Sequence, residues 1–395
     1  MNKLNSMASY TTLSLCHMAG MIDLAALPLW VGSLMNFYGL TAPQAGLVVT
    51  TFLAGVVAAS AIFAPRFNRL PHRIVVPGGF AVSACAFLVA SWLKAPAVDV
   101  YPFLLLHAIA GLGAGAALSV THGTIGLTTN PHRLFGVVNV TLGLLAIAMF
   151  AVLPGLIAKL GGQVLFQGMG ATMGLAALVS LALFPKVTPP AATDSGASRE
   201  TARRPLPRAA WLMILTVICL TLNQSTVFSF VERIGMDNGF GMERVQLILV
   251  VMGFVNLVPG VLAAVLQKHL SPIAVGVAGP LLQAVCALSM TGSTAFASYA
   301  VPAVFYVSLV IFTHTFLFGL LCRIDTTGRA VAATPAMMMF GSAMGPVLGG
   351  MIVAAVGYRG LGLSVTCFAA IAITAVLLVR RDLARTAAKP AMAAA

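Results

Sequence analysis

Long apolar segments separated by short polar ones dominate this chain and restrict what it can fold into. Each is about 20 residues long, the length that an α-helix needs to cross the ~30 Å hydrocarbon core of a bilayer. Only 8% of the 395 residues are charged, against roughly 25% in soluble globular domains. The pattern predicts an all-α membrane protein in the lipid bilayer and excludes a soluble enzyme and a disordered chain.

The apolar segments number twelve and are called spans 1 to 12 in chain order. Spans 1 to 6 cover about residues 11–35, 42–64, 74–93, 101–127, 137–160 and 164–184. Spans 7 to 12 cover about residues 209–231, 245–266, 272–290, 299–322, 331–356 and 361–379. The long polar stretch between the two sets is rich in Pro, Ala, Ser, Thr and Arg, as flexible linkers are. We therefore expect a six-helix bundle at 1–184, a linker at 185–208, a second six-helix bundle at 209–379 and a tail at 380–395.

The distribution of basic residues predicts the orientation. With the N-terminus inside, 17 of the 22 Lys and Arg residues fall on the inner side and five on the outer side. Basic residues concentrate in cytoplasmic loops of membrane proteins. The protein is therefore expected in the bacterial inner membrane, with both termini and the linker in the cytoplasm. The net charge of +13 does not indicate nucleic-acid binding, because the basic residues stand singly or in small groups.

Span 11 contains closely spaced glycines in the order Gly341-Ser-Ala-Met-Gly345-Pro346-Val-Leu-Gly349-Gly350. Small residues let helices approach closely, and proline bends a helix. The segment resembles the GxxxGPxxGG pattern of the major facilitator superfamily (MFS). This resemblance implies twelve transmembrane helices in two six-helix bundles, with alternating access to a central site. The alternative is a general helix-packing motif.

The loop after span 2 resembles a second pattern of the same family, GxxxDRxGRR. It runs from Ala64 to Arg73, and Arg69 and Arg73 match the pattern. The resemblance implies a gate that locks the two bundles on the cytoplasmic side. Asn68 stands where the family has aspartate, so the acidic partner of that lock is missing. The alternative is that these arginines only set the orientation of the chain.

Span 4 carries His107 ahead of Gly111, Gly113 and Gly115. The family pattern has an arginine at the position of His107, and in relatives that arginine is tied to proton coupling. Histidine is a plausible substitute because it titrates near neutral pH. His107 is interpreted either as a coupling residue or as a packed, hydrogen-bonded neutral histidine. His122 lies 15 residues later, roughly 22 Å along the helix and about 60° around it, so the two share a face.

Asp23 is the one acidic residue that the sequence places in the middle of a span. A carboxylate at that depth costs several kcal/mol unless it is hydrated, paired or protonated. Asp23 is therefore predicted to carry a proton or to anchor an amine. The structural alternative is a carboxylate bonded to nearby backbone close to the Pro28 bend. A metal site with Cys16 and His17 is disfavoured, since His17 and Asp23 lie about 120° apart around a regular helix.

Spans 1, 4, 7 and 10 line the central cavity if the resemblance to the superfamily holds. Span 7 has its densest polar stretch at Asn223 and Gln224, and span 10 carries Tyr306 and His314. We expect these four side chains to contact substrate. The alternative is that they are packed residues with local hydrogen bonds.

These patterns together predict a secondary active transporter of a small organic solute that works by alternating access. Proton coupling is favoured because Asp23 and the histidines are the titratable groups in the spans. Efflux of an amphipathic or weakly basic compound is placed ahead of uptake of a neutral or mono-anionic nutrient. A metal transporter and a non-transporting sensor are further alternatives. No cofactor, nucleic acid or enzymatic activity is expected, no Walker loop is present, and the chain is expected to act as a monomer.

Overall fold

The computed structural model describes residues 4–96, 99–129, 131–186, 206–325, 330 and 334–393. Most of the predicted linker, residues 187–205, lies outside these ranges. Within them the secondary structure consists of helices joined by turns and short connections. The α-helices are α1 (Met7–Gly20), α2 (Ile22–Asn36), α3 (Ala42–Phe63), α4 (His72–Ala90), α5 (Tyr101–Gly126), α6 (Pro131–Leu160), α7 (Gln163–Leu183), α8 (Arg208–Phe228), α9 (Val231–Asp237), α10 (Met242–Val255), α11 (Pro259–Leu266), α12 (Pro272–Gly292), α13 (Phe296–Ile324), α14 (Thr334–Val356) and α15 (Arg359–Ala393).

Twelve candidate membrane spans are formed by these helices within the described residues. This confirms the predicted number of spans and the all-α class. Most boundaries shift by a few residues, and the largest extensions are at the ends of spans 7 and 12. Span 7 extends to Asp237 instead of ending at 231, and α15 continues through Ala393, so the backbone of the predicted tail is helical up to that residue.

Three of the spans are interrupted, and the interruptions have local causes. Span 8 breaks between Val255 and Pro259, because proline lacks the N–H that would bond to the carbonyl four residues earlier. Span 1 breaks at Met21, directly after Gly20, and span 7 breaks between Phe228 and Val231. Broken helices expose backbone groups inside a membrane protein and are found where ions or substrates bind.

The chain forms two compact units. The first contains residues 1–189, 228–254 and 346–354, and the second contains residues 190–227, 255–345 and 355–395. Two segments from the second half of the sequence therefore belong to the first unit, which a linear division at 184 and 209 does not anticipate. The reason is local packing within the first unit, where α9 lies on α2 and residues of span 11 lie on α3.

Each unit has its own apolar core. The first is centred on the aromatic side chains of Trp30, Phe52, Phe87 and Phe166, whose rings meet edge-on or tilted except for the stacked pair of Phe87 and Phe166. The second is aliphatic and forms between spans 7, 10, 11 and 12, with Met213, Leu220, Leu317, Met337 and Val379 among its buried members. Many Leu, Val and Ile side chains point outward on both units, as expected for helices that face lipid.

Candidate functional site

Asp23 lies at the break in span 1. Met21 has non-helical backbone angles (φ −108°, ψ 27°), and α2 restarts at Ile22, which makes Asp23 the second residue of a new helix. The side chain is 94% buried, and the donors nearest its carboxyl are the backbone N–H groups of Asp23 and Leu24, of which that of Leu24 also donates to the Met21 carbonyl at 3.1 Å. The first turn of a helix offers unpaired N–H groups and a favourable dipole to a carboxylate. The sequence correctly places Asp23 inside the span, but it does not reveal the break.

His107 lies in an aromatic pocket of the first unit. The ring is fully buried and contacts Trp30, Phe87 and Phe166. The indole N–H of Trp30 donates to His107 Nε2 at 3.1 Å, and His107 Nδ1 lies 2.6 Å from the carbonyl oxygen of Phe103. Since indole is only a donor, Nε2 must be the acceptor, and the proton must be on Nδ1. Both nitrogens are thus occupied in the neutral ring, which favours the packing interpretation over the coupling one.

Tyr38 follows span 1 and borders the same cluster of rings. It packs against Phe103 and Phe166 at centroid distances of 4.9 and 5.6 Å. Burial raises the pKa of the Tyr38 phenol to about 12, so the group stays neutral across the physiological range. This cluster is therefore an uncharged wall around His107.

His17 and His122 form a second histidine feature in the first unit. Their Nδ1 and Nε2 atoms are 2.9 Å apart, and the ring centroids are 5.1 Å apart. One nitrogen must donate and the other accept, so two fully protonated rings are incompatible with this bond. His107 and His122 do face the same partner, span 1, but each contacts a different residue there. The spacing of His107 and His122 within span 4 predicts that they share a face. The contact of His122 with His17 is visible only in the tertiary structure.

Asn223 and Tyr306 meet in the interior of the second unit. The Tyr306 hydroxyl donates to the carbonyl oxygen of Asn223 at 2.9 Å. The Asn223 amide donates weakly to Gln283 Oε1 and to the Val365 carbonyl, both at 3.4 Å, and Gln283 donates to the Leu220 carbonyl at 3.1 Å. These bonds tie spans 7, 9, 10 and 12 together. Gln283 completes the network, and its role could not be inferred from its position in the sequence.

Gln224 and His314, the other two predicted substrate residues, are not part of this network. Both are partly exposed. The His314 ring packs against Phe318 at a centroid distance of 5.0 Å, and its Nδ1 has no hydrogen-bond partner among the described residues. The structure thus pairs Asn223 with Tyr306 and leaves Gln224 and His314 apart from them.

The loop after span 2 is held by its aromatic residues. Arg69 ends a 3-10 helix over Ala64–Arg69, and both Arg69 and Arg73 are exposed. His72 instead is buried, stacks on Phe67 at 4.3 Å and lies 2.7 Å from the Phe67 carbonyl oxygen. Phe67 also covers Gly123 of span 4. The anchoring of this loop is therefore aromatic, while its two predicted gating arginines face outward.

The glycines of span 11 lie in backbone contact with neighbouring helices. In the second unit, a Cβ on Gly341 would overlap Thr221, and one on Gly345 would lie 2.5 Å from the Cβ of Ser225. The Ser225 hydroxyl donates to the Ser342 carbonyl at 2.7 Å across the same contact. Close approach of two backbones requires glycine at such positions.

The remaining motif residues belong to the contact between span 11 and span 2 in the first unit. A Cβ on Gly46 would overlap the Pro346 carbonyl, and one on Gly350 would overlap the Ala42 carbonyl. The Val347 N–H reaches the Thr50 hydroxyl at 3.2 Å. Gly349 is buried in the same stretch. The motif therefore packs along its whole length, first on span 7 and then on span 2.

Glu232 is a buried carboxyl that the sequence analysis did not single out. It is the second residue of α9 and lies inside the extended span 7, with 6% of its surface exposed. The predicted end of this span at 231 placed Glu232 just outside the membrane. The signal that could have found it is its position directly after the predicted end of span 7.

Comparison with known proteins gives the family. The sequence model described as Major Facilitator Superfamily matches residues 13–324. The chain belongs to the Major Facilitator Superfamily. No curated protein matches the chain with significance. Membership confirms the family inferred from the span 11 and loop motifs, and MFS proteins transport solutes across membranes.

Solved MFS structures share the fold. A bacterial homolog of the human lysosomal transporter Spinster, in an inward-facing and unoccupied conformation, matches with a TM-score of 0.72 and 14% identity over 94% of this chain and 96% of that one. A D-xylose–proton symporter matches with a TM-score of 0.70 and 17% identity over 94% and 96%. Identities this low establish the MFS fold alone.

Proposed function

We propose that this MFS transporter couples the movement of a small organic solute to a proton, with Asp23 as the proton carrier. The observation that carries the proposal is the position of this carboxyl at the restart of a broken helix. Backbone N–H groups there can donate to the carboxyl in either protonation state. A group that gains and loses a proton in every transport cycle needs partners of this kind. A D-xylose–proton symporter with the same fold shows that the architecture is compatible with proton coupling.

The solute is proposed to be uncharged or weakly basic. Among the described residues, the buried charged groups are the acidic Asp23, Glu232 and Asp325, and the buried set contains no Lys or Arg. Arg233 near the end of span 7 is only partly buried and pairs with Asp237, so a strongly anionic solute would lack a fully buried positive partner in the parts of the spans that the structure describes. An amine, in contrast, could pair with a carboxylate. Export of an amphipathic or weakly basic compound therefore stays ahead of uptake.

Gln224 and His314 are proposed as the residues that contact solute. Both are partly exposed, and His314 Nδ1 keeps free hydrogen-bonding capacity. The Tyr306 hydroxyl and the Asn223 amide N–H groups bond to protein partners, although Asn223 Oδ1 has none among the described residues, and we assign these two residues to the support of spans 7 and 10. The same two polar side chains would suit a hydroxylated neutral nutrient, and this is the specific observation in favour of the uptake alternative.

Transport by the purified protein in sealed vesicles tests the proposal. A counterflow screen against weak bases, sugars and mono-anions identifies the solute class, and a pH gradient then tests the coupling. The expected result is accumulation against a concentration gradient that collapses when a protonophore is added. Accumulation that persists with the protonophore would contradict proton coupling, and preference for mono-anions would contradict the assigned solute class.

A further inference from the structure

Spans 1 and 7 carry an acidic residue at the same place relative to their breaks. Met21 has φ −108° and ψ 27°, and Asp23 follows two residues later. Phe230 has φ −111° and ψ 4°, and Glu232 also follows two residues later. Each carboxyl is the second residue of the restarted helix. Spans 1 and 7 open the two sets of six spans, and both have 30 residues, but Asp23 is the 17th residue of span 1 and Glu232 the 25th residue of span 7. The two carboxyls therefore share their place relative to a break but lie at different depths.

The surroundings of Glu232 differ from those of Asp23. The Glu232 carboxyl lies directly on Gly32 of α2, where any Cβ would overlap it. Its Oε2 atom is buried and has no hydrogen-bond partner among the described residues. A buried polar atom without a partner is unfavourable, and more so if it is charged. The packed arrangement therefore requires the carboxyl to be neutral or to be reached by water.

A small cavity borders the carboxyl within the first unit. It has a volume of about 90 Å³, and its polar walls are Ser33 and Asn36 of α2. Pro154 of α6 and Met242 of α10 are among its apolar walls. This volume holds one or more water molecules, and Ser33 and Asn36 can bond them. A proton released by Glu232 thus has a polar route away from the carboxyl.

The charged surroundings of Glu232 are sparse. Arg233 is its electrostatic neighbour on α9, but this guanidinium is paired with Asp237 through an Nη2–Oδ1 distance of 2.8 Å. The residues of α2, α6 and α10 that line the cavity carry no titratable side chain. The next charged residues, Lys159 on α6 and Glu243 and Arg244 on α10, are exposed. Among the described neighbours Arg233 is therefore the counter-ion available to an ionised Glu232, and it is shared with Asp237.

We propose that Glu232 is a second proton-binding site, which holds α9 against α2 when it is protonated and releases it when the proton is lost to water in the cavity. Ionisation would place a charge on Gly32 with no hydrogen-bond donor at Oε2 and only the shared Arg233 to offset it, so the carboxylate moves to water and the two helices separate. The site lies on the side of the membrane opposite the N-terminus, beyond the break in span 1. Only the role of Glu232 in transport rests on the proposed proton-coupled function. Proton binding by Glu232 is measured directly.

Infrared difference spectroscopy during a pH titration of the reconstituted protein measures this binding. We expect a carboxylic-acid carbonyl band that disappears as the pH rises. One component of this band should be missing in Glu232→Gln and present in both Asp23→Asn and Glu243→Gln, the latter an exposed control on α10, while Asp23 contributes a separate component. A band unchanged in Glu232→Gln would overturn the proposal. Retained proton-driven transport in Asp23→Asn would instead contradict the proposed function, so the two failures are distinguishable.

Thiol labelling of Met242→Cys, in a background without the native cysteines, measures the separation of α9 from α2. Rates are divided by those of Lys94→Cys at each pH to remove the reactivity of the thiol itself. We expect the corrected rate to rise with pH, by on the order of tenfold per pH unit at most. Glu232→Gln should keep a low, pH-independent rate, and Gly32→Ala should label fast at every pH because its Cβ displaces the carboxyl. If labelling of Met242→Cys still depends on pH in the Glu232→Gln variant, the proposed release of α9 from α2 is contradicted.

Discussion

Trp30 and His107 are joined by a hydrogen bond of 3.1 Å between two buried rings, with the indole as donor. This bond fixes the tautomer of His107, since its Nε2 has to accept and its Nδ1 has to donate to the Phe103 carbonyl. A proton added to Nε2 would eliminate the acceptor and leave two donors facing each other. His107 thus links spans 1 and 4 as a neutral residue, although it stands where the family pattern has an arginine.

His107→Leu should lower stability because it leaves the Trp30 N–H buried without an acceptor. The expected loss is roughly 1–3 kcal/mol of unfolding free energy. In the double variant with Trp30→Phe, the loss should be smaller than the sum of the single losses. Thermal melting of the purified variants measures this, with exposed His269→Leu as the control. Normal melting combined with loss of proton-driven transport in His107→Leu would instead restore a coupling role.

Asp23→Asn should abolish accumulation driven by a pH gradient, because asparagine keeps the shape of the side chain but cannot bind and release a proton. Exchange of solute between the two sides should survive, since the conformational change itself needs no titration. Both rates are measured on one vesicle preparation, with exposed Asp99→Asn as the matched control. If Asp23 anchors an amine, exchange falls as well. If it is structural, the melting temperature also falls.

Gly345→Leu should destabilise the second unit. Its Cβ would lie 2.5 Å from the Cβ of Ser225, so spans 7 and 11 would have to separate. Overpacking of this kind costs typically about 1–3 kcal/mol. Gly319→Leu in span 10 is the control, because a Cβ there meets nothing within 4 Å. Equal melting temperatures and transport rates of the two variants would show that the close approach at Gly345 has no consequence.

Tyr306→Phe should reduce stability by about 1 kcal/mol through loss of the bond to the Asn223 carbonyl. Solute affinity should stay the same, while Gln224→Ala and His314→Ala should weaken affinity and leave the melting temperature unchanged. Calorimetric titration and thermal melting separate the two effects, and exposed Tyr101→Phe serves as the control. A reduced affinity in Tyr306→Phe would return this residue to the group that contacts solute.

The orientation is tested with Lys94→Cys and Lys268→Cys in a background without the native cysteines. Lys94 follows span 3 and Lys268 follows span 8, so they are expected on opposite sides of the membrane. The bias of basic residues predicts that a membrane-impermeant thiol reagent labels Lys94→Cys in intact cells. Lys268→Cys should react only after permeabilisation. The reverse pattern would invert the topology.

The sequence alone determined the architecture of this protein. A span needs a long apolar segment with few charges, and both properties are local, so twelve segments could be counted directly. The family pattern Gly341–Gly350 is likewise local, because its residues are close in sequence on one helix. Asp23 was found for the same reason, since one carboxyl within an apolar segment stands out without any knowledge of its neighbours.

Only the tertiary structure decided what the polar residues do. His107 is fixed by Trp30, 77 positions earlier, and Asn223 by Gln283, 60 positions later. Hydrogen bonds between helices depend on the rotation and depth of both, and an apolar segment leaves these undetermined because every face is similarly apolar. The breaks at Met21 and Phe230 are hidden for the same reason. Glu232 is buried because α9 packs on Gly32, a contact that the sequence does not show.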